Sequence, residues 1–377
     1  MTDLVRQEIA AAAKRIVVKV GTRVLTGDDG QLNLERIHHL ALQLHQIGVA
    51  GKDVILVSSG AVGAGMGKLG LTSRPSDLSR LQAIAAVGQT ALMKEYEQVF
   101  SDHDRTAAQV LLTAKDLDDR AGYLNVRNTL LSLLDIGIIP IVNENDTVSV
   151  DELKTTFGDN DRLAALVSNL VGADLLIILS NVDGLFDGPP EEKSTMRIPV
   201  VKDIATARGQ FVHDQHDQLS RGGMTSKLDA ATVVTNAGEN MIIANGKVDN
   251  VLIDILAGNN VGTLFMAKGE TMSSWKRWLR FSAQPRGSIA LDQGACEAVC
   301  KQGGSILSIG ITAVDGDFTK GDAVLIVDTD GNEIARGLTN YDATEVQQIM
   351  GLSSDRILET LGYRPYEEVV HRDNIAM

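Results

Sequence analysis

The stretch "FGDNDRLAALVSNLVGADLLIILSNVDG", residues 157–184, decides the fold class of this 377-residue chain. Its first half places Leu163, Leu166, Val167 and Leu170 three or four positions apart, which is the spacing of one apolar helical face. Its second half contains the run "LLIIL" at 175–179, which has the length and composition of a strand buried on both faces. A helix followed by such a strand predicts a parallel sheet that is covered by helices.

The same alternation continues on both sides of this stretch. Apolar strand patterns recur at "IVVKV", "DVILVSS", "AQVLLT", "IIPIV" and "MIIAN", with helical patterns between most of them. We therefore expect an α/β fold, a three-layer α/β/α sandwich around a mainly parallel sheet. Beyond it, short strands and turn signals such as "TDGNEIA" predict a small, mostly β second domain. The expected divisions are an extension at 1–13, a first domain at 14–280 and a second at 285–377.

Composition and charge narrow the class of protein. The chain is 44% hydrophobic and 22% charged, which is typical of a globular protein, and its formal net charge is −14. A negative balance argues against a nucleic-acid site that depends on charge. Two cysteines, four positions apart, fit a reducing compartment. The sequence shows neither a signal-peptide pattern nor an apolar run of membrane-spanning length, so we expect a cytoplasmic protein.

Polar and glycine residues gather where the predicted strands end, which is the edge at which parallel sheets bind ligands. Lys19 interrupts an apolar strand just before Gly21, and a charge there is costly unless it meets an anion. "SSGAVGAG" at 58–65 and "RGGMTSK" at 221–227 are two further glycine turns that lead into helices. A structural alternative remains open for each of these features. Lys19 would extend its ammonium group to solvent, the glycines would allow tight packing, and the acidic residues near the start of the 157–184 stretch would be helix caps.

Phosphoryl transfer accounts for all of these residues together. Its transition state spreads negative charge, and lysines, glycine turns and helix N-termini stabilise that charge. The chain has no P-loop, because the lysine after Gly67 is followed by Leu69. A dinucleotide fingerprint is disfavoured as well, because the spaced glycines that begin at Gly65 come several residues after the strand has ended.

Several motifs together resemble the glutamate 5-kinase family of the amino-acid kinase superfamily. They are "VVKVGT", "VSSGAVGAG", "AVGQ", "LNVRNTL", "PIVNENDTV", "FGDND", "GGMTSK" and the terminal "HRDNI". The resemblance implies an amino-acid kinase fold with a PUA-like tail. It also implies ATP-dependent phosphorylation of the γ-carboxylate of L-glutamate, the first step of proline biosynthesis. The alternatives are a related kinase with a different acid substrate, or an RNA-binding protein that acts through the tail.

The resemblance also implies residue roles. Lys19 and Lys227 would flank the transferred phosphoryl group, with Asp161 between them, and Asp159 would be a helix cap. The implied substrate contacts are Ser59, Gly60, Ala61, Asp146 and Asn160. The implied ATP contacts are Lys19, Gly21, Ser180, Asn181, Arg221, Gly222, Gly223, Met224, Thr225, Ser226 and Lys227. Ser180-Asn181 and Arg221 depart from the residues that are common in the family, threonine-aspartate and a small residue respectively.

Cofactors, partners and one variant complete the expectations. The resemblance implies ATP as co-substrate, with Mg²⁺ carried on its phosphates and no metal site of the protein itself. It further implies feedback by proline, a homo-oligomer, and glutamyl phosphate reductase as a possible partner. We expect neither membrane nor nucleic-acid binding, because residues 286–365 hold six Lys and Arg against twelve Asp and Glu. Asp161→Asn should lower turnover and leave stability nearly unchanged, because asparagine caps helices as well as aspartate does.

Overall fold

The computed structural model describes residues 3–27, 30–148, 159–189, 192, 194–211, 223–268 and 272–377. They form two compact units. The first comprises Met1–Asp116 and Leu124–Thr271, and the second comprises Met272–Met377 together with the short segment Leu117–Tyr123.

The first unit is built on one eight-stranded sheet. Its strands, in chain order, are Arg15–Val20 (β1), Asp53–Ser58 (β2), Ala107–Leu112 (β3), Ile139–Glu144 (β4), Leu175–Ser180 (β5), Val200–Val201 (β6), Asn240–Asn245 (β7) and Thr263–Phe265 (β8). Their order across the sheet is β3-β4-β2-β1-β5-β7-β8-β6. All neighbours pair in parallel except β7 and β8, which are antiparallel. The expected α/β fold with a mainly parallel sheet is therefore confirmed, while the three-residue β8 is too short for its direction to be predicted from a pattern.

Helices flank this sheet. The α-helices up to residue 256 are, in chain order, Leu4–Ala12, Thr22–Leu25, Leu34–Val49, Ala61–Lys68, Leu78–Ser101, Ala114–Asp118, Arg120–Asp135, Asp159–Val171, Ile204–Phe211, Met224–Asn236 and Val251–Leu256. The segment Leu117–Tyr123, where one of these helices ends and the next begins, belongs to the second unit. Asn33 and Asp77 begin two of them as N-caps, with a side-chain oxygen accepting from a backbone N–H of the first turn. The central strands are continuous apolar runs because they are buried on both faces, and β5 is buried at every position.

Two helices cross at unusually close range next to the end of β2. A Cβ atom on Gly88 would lie 1.7 Å from the carbonyl oxygen of Ala61, and one on Gly65 would lie 2.0 Å from that of Ile84. No side chain fits at either position, so the helices Ala61–Lys68 and Leu78–Ser101 touch backbone to backbone. Gly65 therefore serves helix packing, which is the structural alternative for the glycines of "GAVGAG".

The N-terminal segment is part of the first unit through Arg6. This side chain is 2% exposed, and its guanidinium donates to the carbonyl oxygens of Val261 (2.6 Å), Pro199 (2.6 Å) and Gly262 (2.9 Å). The Arg6 Nε atom also lies 3.7 Å from the Asp3 carboxylate, so three carbonyl oxygens and one carboxylate surround the buried guanidinium. The helix Leu4–Ala12 therefore ties together chain segments that lie about 190 to 255 residues away.

The second unit is mostly β, as expected. Its strands are Gly287–Leu291 (β9), Ile306–Leu307 (β10), Ile311–Gly316 (β11), Ala323–Val327 (β12), Glu333–Leu338 (β13), Glu368–Val370 (β14) and Ile375–Ala376 (β15). Five of them form one sheet in the order β11-β9-β12-β13-β15, which packs over a core that includes Phe318 and Tyr341. Its α-helices are Ser274–Arg277, Gln293–Gln302, Ala343–Ile349 and Ile357–Leu361, and β10 and β14 form a separate ladder.

Aromatic stacking holds Leu117–Tyr123 within this unit. The Trp275 and Trp278 rings stack with centroids 5.1 Å apart, and the Arg120 guanidinium lies 3.9 Å from the Trp275 centroid. Tyr123 meets Trp278 edge to face, and the Asp118 carboxylate accepts from the backbone N–H of Gln284. These contacts join parts of the chain that no sequence pattern connects. Within the described ranges, no helix combines the length and the hydropathy needed to cross a membrane.

Arg6→Met should destabilise the first unit, because three carbonyl oxygens would lose a charged donor while the apolar stem of the side chain is kept. We expect a loss on the order of 3 kcal/mol in the free energy of unfolding, measured by urea titration. Arg80→Met is the matched control, because Arg80 is exposed on the helix Leu78–Ser101. Equal midpoints for the two variants would contradict this account of Arg6.

Candidate functional site

Three neighbouring strands end at one place on the first sheet. The order β2-β1-β5 brings together Ser58, Val20 and Ser180, which are the last residues of these strands. A new helix begins two or three residues after β1 and β2, and the helix Asp159–Val171 packs against β1, β2 and β5. The carboxyl edge of a parallel sheet is where such folds bind ligands, and the residues predicted at the strand ends do meet there.

Asp161 bridges two lysines at this edge. The Lys19 Nζ atom lies 2.6 Å from Asp161 Oδ1, and the Lys227 Nζ atom lies 3.1 Å from Asp161 Oδ2. Ser226 Oγ donates to the same Oδ2 over 3.2 Å. The carboxylate is 1% exposed and the two lysines are each 7% exposed. The three charges come from β1, the helix Asp159–Val171 and the helix Met224–Asn236, so only the folded chain assembles them.

The charge balance of this group is set by the lysines. Burial raises the pKa of Asp161, but the ammonium groups of Lys19 and Lys227 outweigh burial and hold that pKa below its ordinary value. A carboxyl group with a lowered pKa in the folded state adds stability above its unfolded pKa, and this stability is lost as the pH falls through the folded pKa. Two positive charges around one negative charge leave a net positive site, which suits a phosphoryl group.

A second cluster of polar side chains lies beside Asp161 and its two lysines, because Asn160 directly precedes Asp161 in the same helix. Asn160 Nδ2 donates to Ser59 Oγ (2.7 Å) and to Asn143 Oδ1 (3.2 Å). Asn143 Nδ2 in turn donates to Gln89 Oε1 (2.8 Å). We call Ser59, Asn160, Asn143 and Gln89 the amide group, and Lys19, Asp161 and Lys227 the lysine bridge. Since Asn160 and Asp161 are neighbours at the start of one helix, the amide group and the lysine bridge are fixed relative to each other.

Asp146 follows the end of β4 and has an altered acidity. Burial raises its pKa to about 6, the nearby Glu144 adds to the increase, and Arg74 opposes it. Its carboxyl group therefore changes charge close to neutral pH, and this behaviour is more common at functional sites than elsewhere.

Gly21 and Gly60 occupy the turns that the sequence predicts after β1 and β2. The Gly21 N–H donates to the carbonyl oxygen of Leu179 over 3.1 Å, so it is already engaged and is not presented to a phosphate. A Cβ atom at Gly21 would lie 3.5 Å from the Leu179 carbonyl oxygen and 3.7 Å from Lys19 Nζ, which are ordinary contacts, so the structure itself does not require glycine there. Gly60 has φ +104°, a backbone conformation that favours glycine, and it directly precedes Ala61 and its helix.

The remaining predicted residues lie on two further elements. Ser180 ends β5, where its hydroxyl group donates to Asn181 Oδ1 over 3.4 Å and its carbonyl oxygen accepts from the Gly246 N–H. Gly223 precedes the helix Met224–Asn236, whose first residues are Met224, Thr225 and Ser226. Arg221 and Gly222 lie outside the described residues, as does the side chain of Asp159, the expected cap.

Sequence reasoning missed Gln89 and did not separate Asn143 from its neighbours as a site residue. The available signals were the motif "AVGQ", which contributed only to the family resemblance, and the position of Asn143 near the end of a predicted strand. A glutamine inside a long helix has no spacing that points to a site. Its contact with Asn143 crosses 54 positions of sequence and exists only in the fold.

Comparison with known proteins identifies both parts of the chain. Residues 14–245 match the model of the amino acid kinase family, and residues 287–361 match that of the PUA domain. The chain is 48% identical to the glutamate 5-kinase of Rhodopirellula baltica, covering 99% of this chain and 96% of that protein. It is 47% identical to the glutamate 5-kinase of Caldanaerobacter subterraneus, over 96% and 97% of the two chains. The corresponding values for the enzyme of Moorella thermoacetica are 45%, 100% and 100%.

The solved structures that match this chain are more distant in sequence. A UMP kinase from Ureaplasma parvum is 16% identical with a TM-score of 0.47, over 67% of this chain and 99% of that one. A carbamate kinase from Giardia lamblia bound to AMP-PNP is 18% identical with a TM-score of 0.49, over 68% and 100%. At this distance neither structure bears on the ligands of this chain.

Asp161→Asn should lower both turnover and stability, contrary to the expectation from sequence that stability would hardly change. The physical reason is burial, since the variant leaves two enclosed ammonium groups without their shared carboxylate. We expect ATP-dependent turnover to fall by roughly 10²–10³ and the free energy of unfolding to fall by roughly 3–5 kcal/mol.

Asp77→Asn is the matched control, because Asp77 is an exposed N-cap whose carboxylate accepts from the Arg80 N–H over 2.9 Å. Asparagine should replace it with a change of only a few tenths of a kcal/mol. Turnover and melting temperature are measured on both variants. If Asp161→Asn behaved like Asp77→Asn, Asp161 would be no more than a cap.

Proposed function

Because this chain belongs to the amino acid kinase family, we propose that it transfers the γ-phosphoryl group of ATP to the γ-carboxylate of L-glutamate, which yields glutamyl 5-phosphate and ADP. The chain is a kinase, and its curated relatives are glutamate 5-kinases over nearly its whole length. The single observation that carries the chemistry is the buried bridge of Asp161 between Lys19 and Lys227. The reaction is the first step of proline biosynthesis.

In this proposal the lysines neutralise the approach of two anions. One carboxylate oxygen of glutamate forms a bond to the γ-phosphorus of ATP while the bond to the β–γ bridging oxygen breaks, and ADP leaves with that electron pair. The attacking carboxylate is already ionised near neutral pH, so no general base is required. Lys19 and Lys227 stabilise the charge that spreads over the transferred group, and Asp161 keeps both ammonium groups in position.

We assign the glutamate side of the site to the amide group and to Asp146. Ser59, Gly60 and Ala61 form the turn after β2, and Asn160 contacts Ser59 directly. Asp146 would pair with the substrate ammonium group, because an ionised carboxylate is the natural partner of a buried cation. The acetylated amine of N-acetylglutamate carries no charge that could pair with Asp146, and its acetyl substituent adds bulk.

We assign the nucleotide side to the end of β5 and to the helix that begins after Gly223. Ser180, Asn181 and residues 221–227 would contact ATP, and the N-terminus of the helix Met224–Asn236 would face its phosphates. Lys227 lies in the first turn of this helix, where a cation is unfavourable for the helix dipole unless an anion binds nearby. Gly21 would lie beside Lys19 near the phosphates of ATP, with its N–H donated to the Leu179 carbonyl oxygen rather than to the nucleotide.

Magnesium would be bound by the phosphates of ATP. The Asp161 carboxylate is already shared by two ammonium groups, so it is not free to become a metal ligand. Mg²⁺ prefers phosphate oxygens and water in such sites, and it would supply further neutralisation of charge on the nucleotide.

The proposal also includes regulation and location. We propose a cytoplasmic homo-oligomer in which proline acts as a feedback inhibitor and glutamyl phosphate reductase receives the unstable acyl phosphate. Kinase chemistry would belong to residues 14–280, and residues 285–377 would form a PUA-like domain. The acidic balance of that domain disfavours RNA as its ligand.

The substrate is tested by ADP release with L-glutamate, N-acetylglutamate, L-aspartate and UMP compared under one set of conditions. We expect turnover with L-glutamate. With N-acetylglutamate, kcat/KM should be reduced by at least about 10²-fold. Equal turnover of the two acids would refute the assignment to glutamate, and turnover of UMP alone would favour a nucleotide kinase.

A pH profile tests the role of Asp146. Its pKa of about 6 means that the carboxyl group is ionised above pH 6 and binds the ammonium group of glutamate, and that it becomes neutral below pH 6. We expect kcat/KM for glutamate to fall about tenfold per pH unit below pH 6. In Asp146→Asn this inflection should disappear, and kcat/KM should be low at every pH.

The stability of the folded protein should rise as the pH falls below 6, whereas kcat/KM for glutamate should decrease. A carboxyl pKa that is raised in the folded protein makes ionisation costly, so the folded state without substrate gains stability as the pH falls from 6 towards the unfolded pKa of about 4. Asp146→Asn should therefore raise the melting temperature at pH 8. A variant that lost both glutamate affinity and stability at pH 8 would indicate a structural role for Asp146.

A further inference from the structure

We propose that Gln89 is a positioning residue for the acid substrate: through Asn143 and Asn160 it fixes the direction in which the hydroxyl group of Ser59 donates its hydrogen bond. This inference rests on the proposed function, because it concerns how the same site recognises the carboxylate of glutamate. It adds a residue that contacts neither the lysine bridge nor Ser59 itself.

Four side chains form one continuous chain of hydrogen bonds. Gln89 Oε1 accepts from Asn143 Nδ2 over 2.8 Å, and Asn143 Oδ1 accepts from Asn160 Nδ2 over 3.2 Å. Asn160 Nδ2 also donates to Ser59 Oγ over 2.7 Å. Each link has one possible donor, since an amide nitrogen donates and an amide oxygen accepts.

The direction of the chain is set by the backbone. The N–H of Glu144 donates to Asn143 Oδ1 over 2.9 Å, and a backbone N–H cannot reverse its role. Asn143 must therefore present its oxygen towards Asn160 and its nitrogen towards Gln89. Asn160 has to donate to Asn143 for the same reason, which places the Asn160 nitrogen against Ser59 as well.

The consequence falls on Ser59. Its oxygen accepts from Asn160, so its single hydrogen is not used in that contact. Among the described residues, no acceptor for this hydrogen is found. A hydroxyl group with a fixed acceptor side and a hydrogen left to donate is suited to a carboxylate, which only accepts. The chain of amides thus makes Ser59 a donor to the acid substrate.

Gln89 completes the chain because Asn143 is buried. Asn143 is 3% exposed, so without Gln89 its amide nitrogen would be left unpaired away from water. The Asn143 side chain would then shift towards another acceptor, which weakens the bond from Asn160 to its oxygen, although the Glu144 N–H still determines which end of the amide faces Asn160. The position of Gln89 is itself rigid, because the preceding Gly88 is held against the Ala61 carbonyl in the close helix crossing.

The test compares Gln89→Met, which removes the acceptor at similar volume, with Gln89→Glu, which keeps an oxygen at the same place. The Gln89 nitrogen has no hydrogen-bond partner in the described part of the chain, so replacing it with oxygen breaks no contact. In Gln89→Met we expect KM for glutamate to rise about tenfold, the effect of losing one hydrogen bond of ordinary strength. KM for ATP should stay within about twofold, and Gln89→Glu should restore most of the glutamate affinity.

Gln98→Met is the matched control, because Gln98 is an exposed glutamine on the same helix whose amide nitrogen donates to Asp102. It should leave both KM values unchanged. Gln89→Asn, which keeps the amide but withdraws it by one methylene, carries the same expectation as Gln89→Met if the latter does not fold. In an Asn143→Leu background, Gln89→Met should cause no further change, because the chain is already broken.

The outcomes separate this inference from the proposed function. Absence of glutamate turnover in the unmodified protein would refute the proposed function before any variant is compared. If the unmodified protein phosphorylates glutamate, an unchanged KM for glutamate in Gln89→Met or Gln89→Asn overturns the role of Gln89. Equal increases in both KM values, or a failure of Gln89→Glu to restore glutamate affinity, overturn it as well, because either result indicates a general structural defect.

Discussion

The buried bridge of Asp161 between Lys19 and Lys227 is the interaction on which the rest of the site depends. Three charges withdrawn from water are costly, and replacement by apolar groups would often be no less stable, so such a bridge is best explained by chemistry. It requires β1 at the centre of the sheet, between β2 and β5, and two helices that begin at the same edge. The order of the parallel strands therefore allows the ammonium groups of Lys19 and Lys227 to lie on either side of the Asp161 carboxylate.

A single helix start then joins the two halves of the site. Asn160 faces the Ser59 turn and Asp161 faces the lysines, so residues that are adjacent in sequence serve different partners. Because the first turn of a helix is rigid when packed on a sheet, the separation between substrate contacts and phosphoryl contacts is fixed by the backbone. Phosphoryl transfer relies mainly on such positioning, since the protein supplies little covalent chemistry.

Remote parts of the first unit support this arrangement by packing. The close backbone contact of two helices at Gly65 and Gly88 fixes the position of Gln89 relative to the Ser59–Ala61 turn. Arg6 secures the far side of the unit through carbonyl oxygens that no apolar residue could satisfy. Neither feature contributes to chemistry directly, and both restrict how far the strand ends can move.

Sequence alone determined the fold class and the main participants. Local periodicity indicates which segments are helices and strands, and an isolated lysine in an apolar strand signals a functional charge because burial is costly. Tertiary structure decided how these residues are used: the Gly21 N–H is donated to Leu179, Asp161 is too deeply buried to act as a simple cap, and Gln89 belongs to the site. Arg6 meets its partners across as many as 256 positions. Hydrogen bonds over such separations depend on the order of strands and the crossing of helices, which no local pattern encodes.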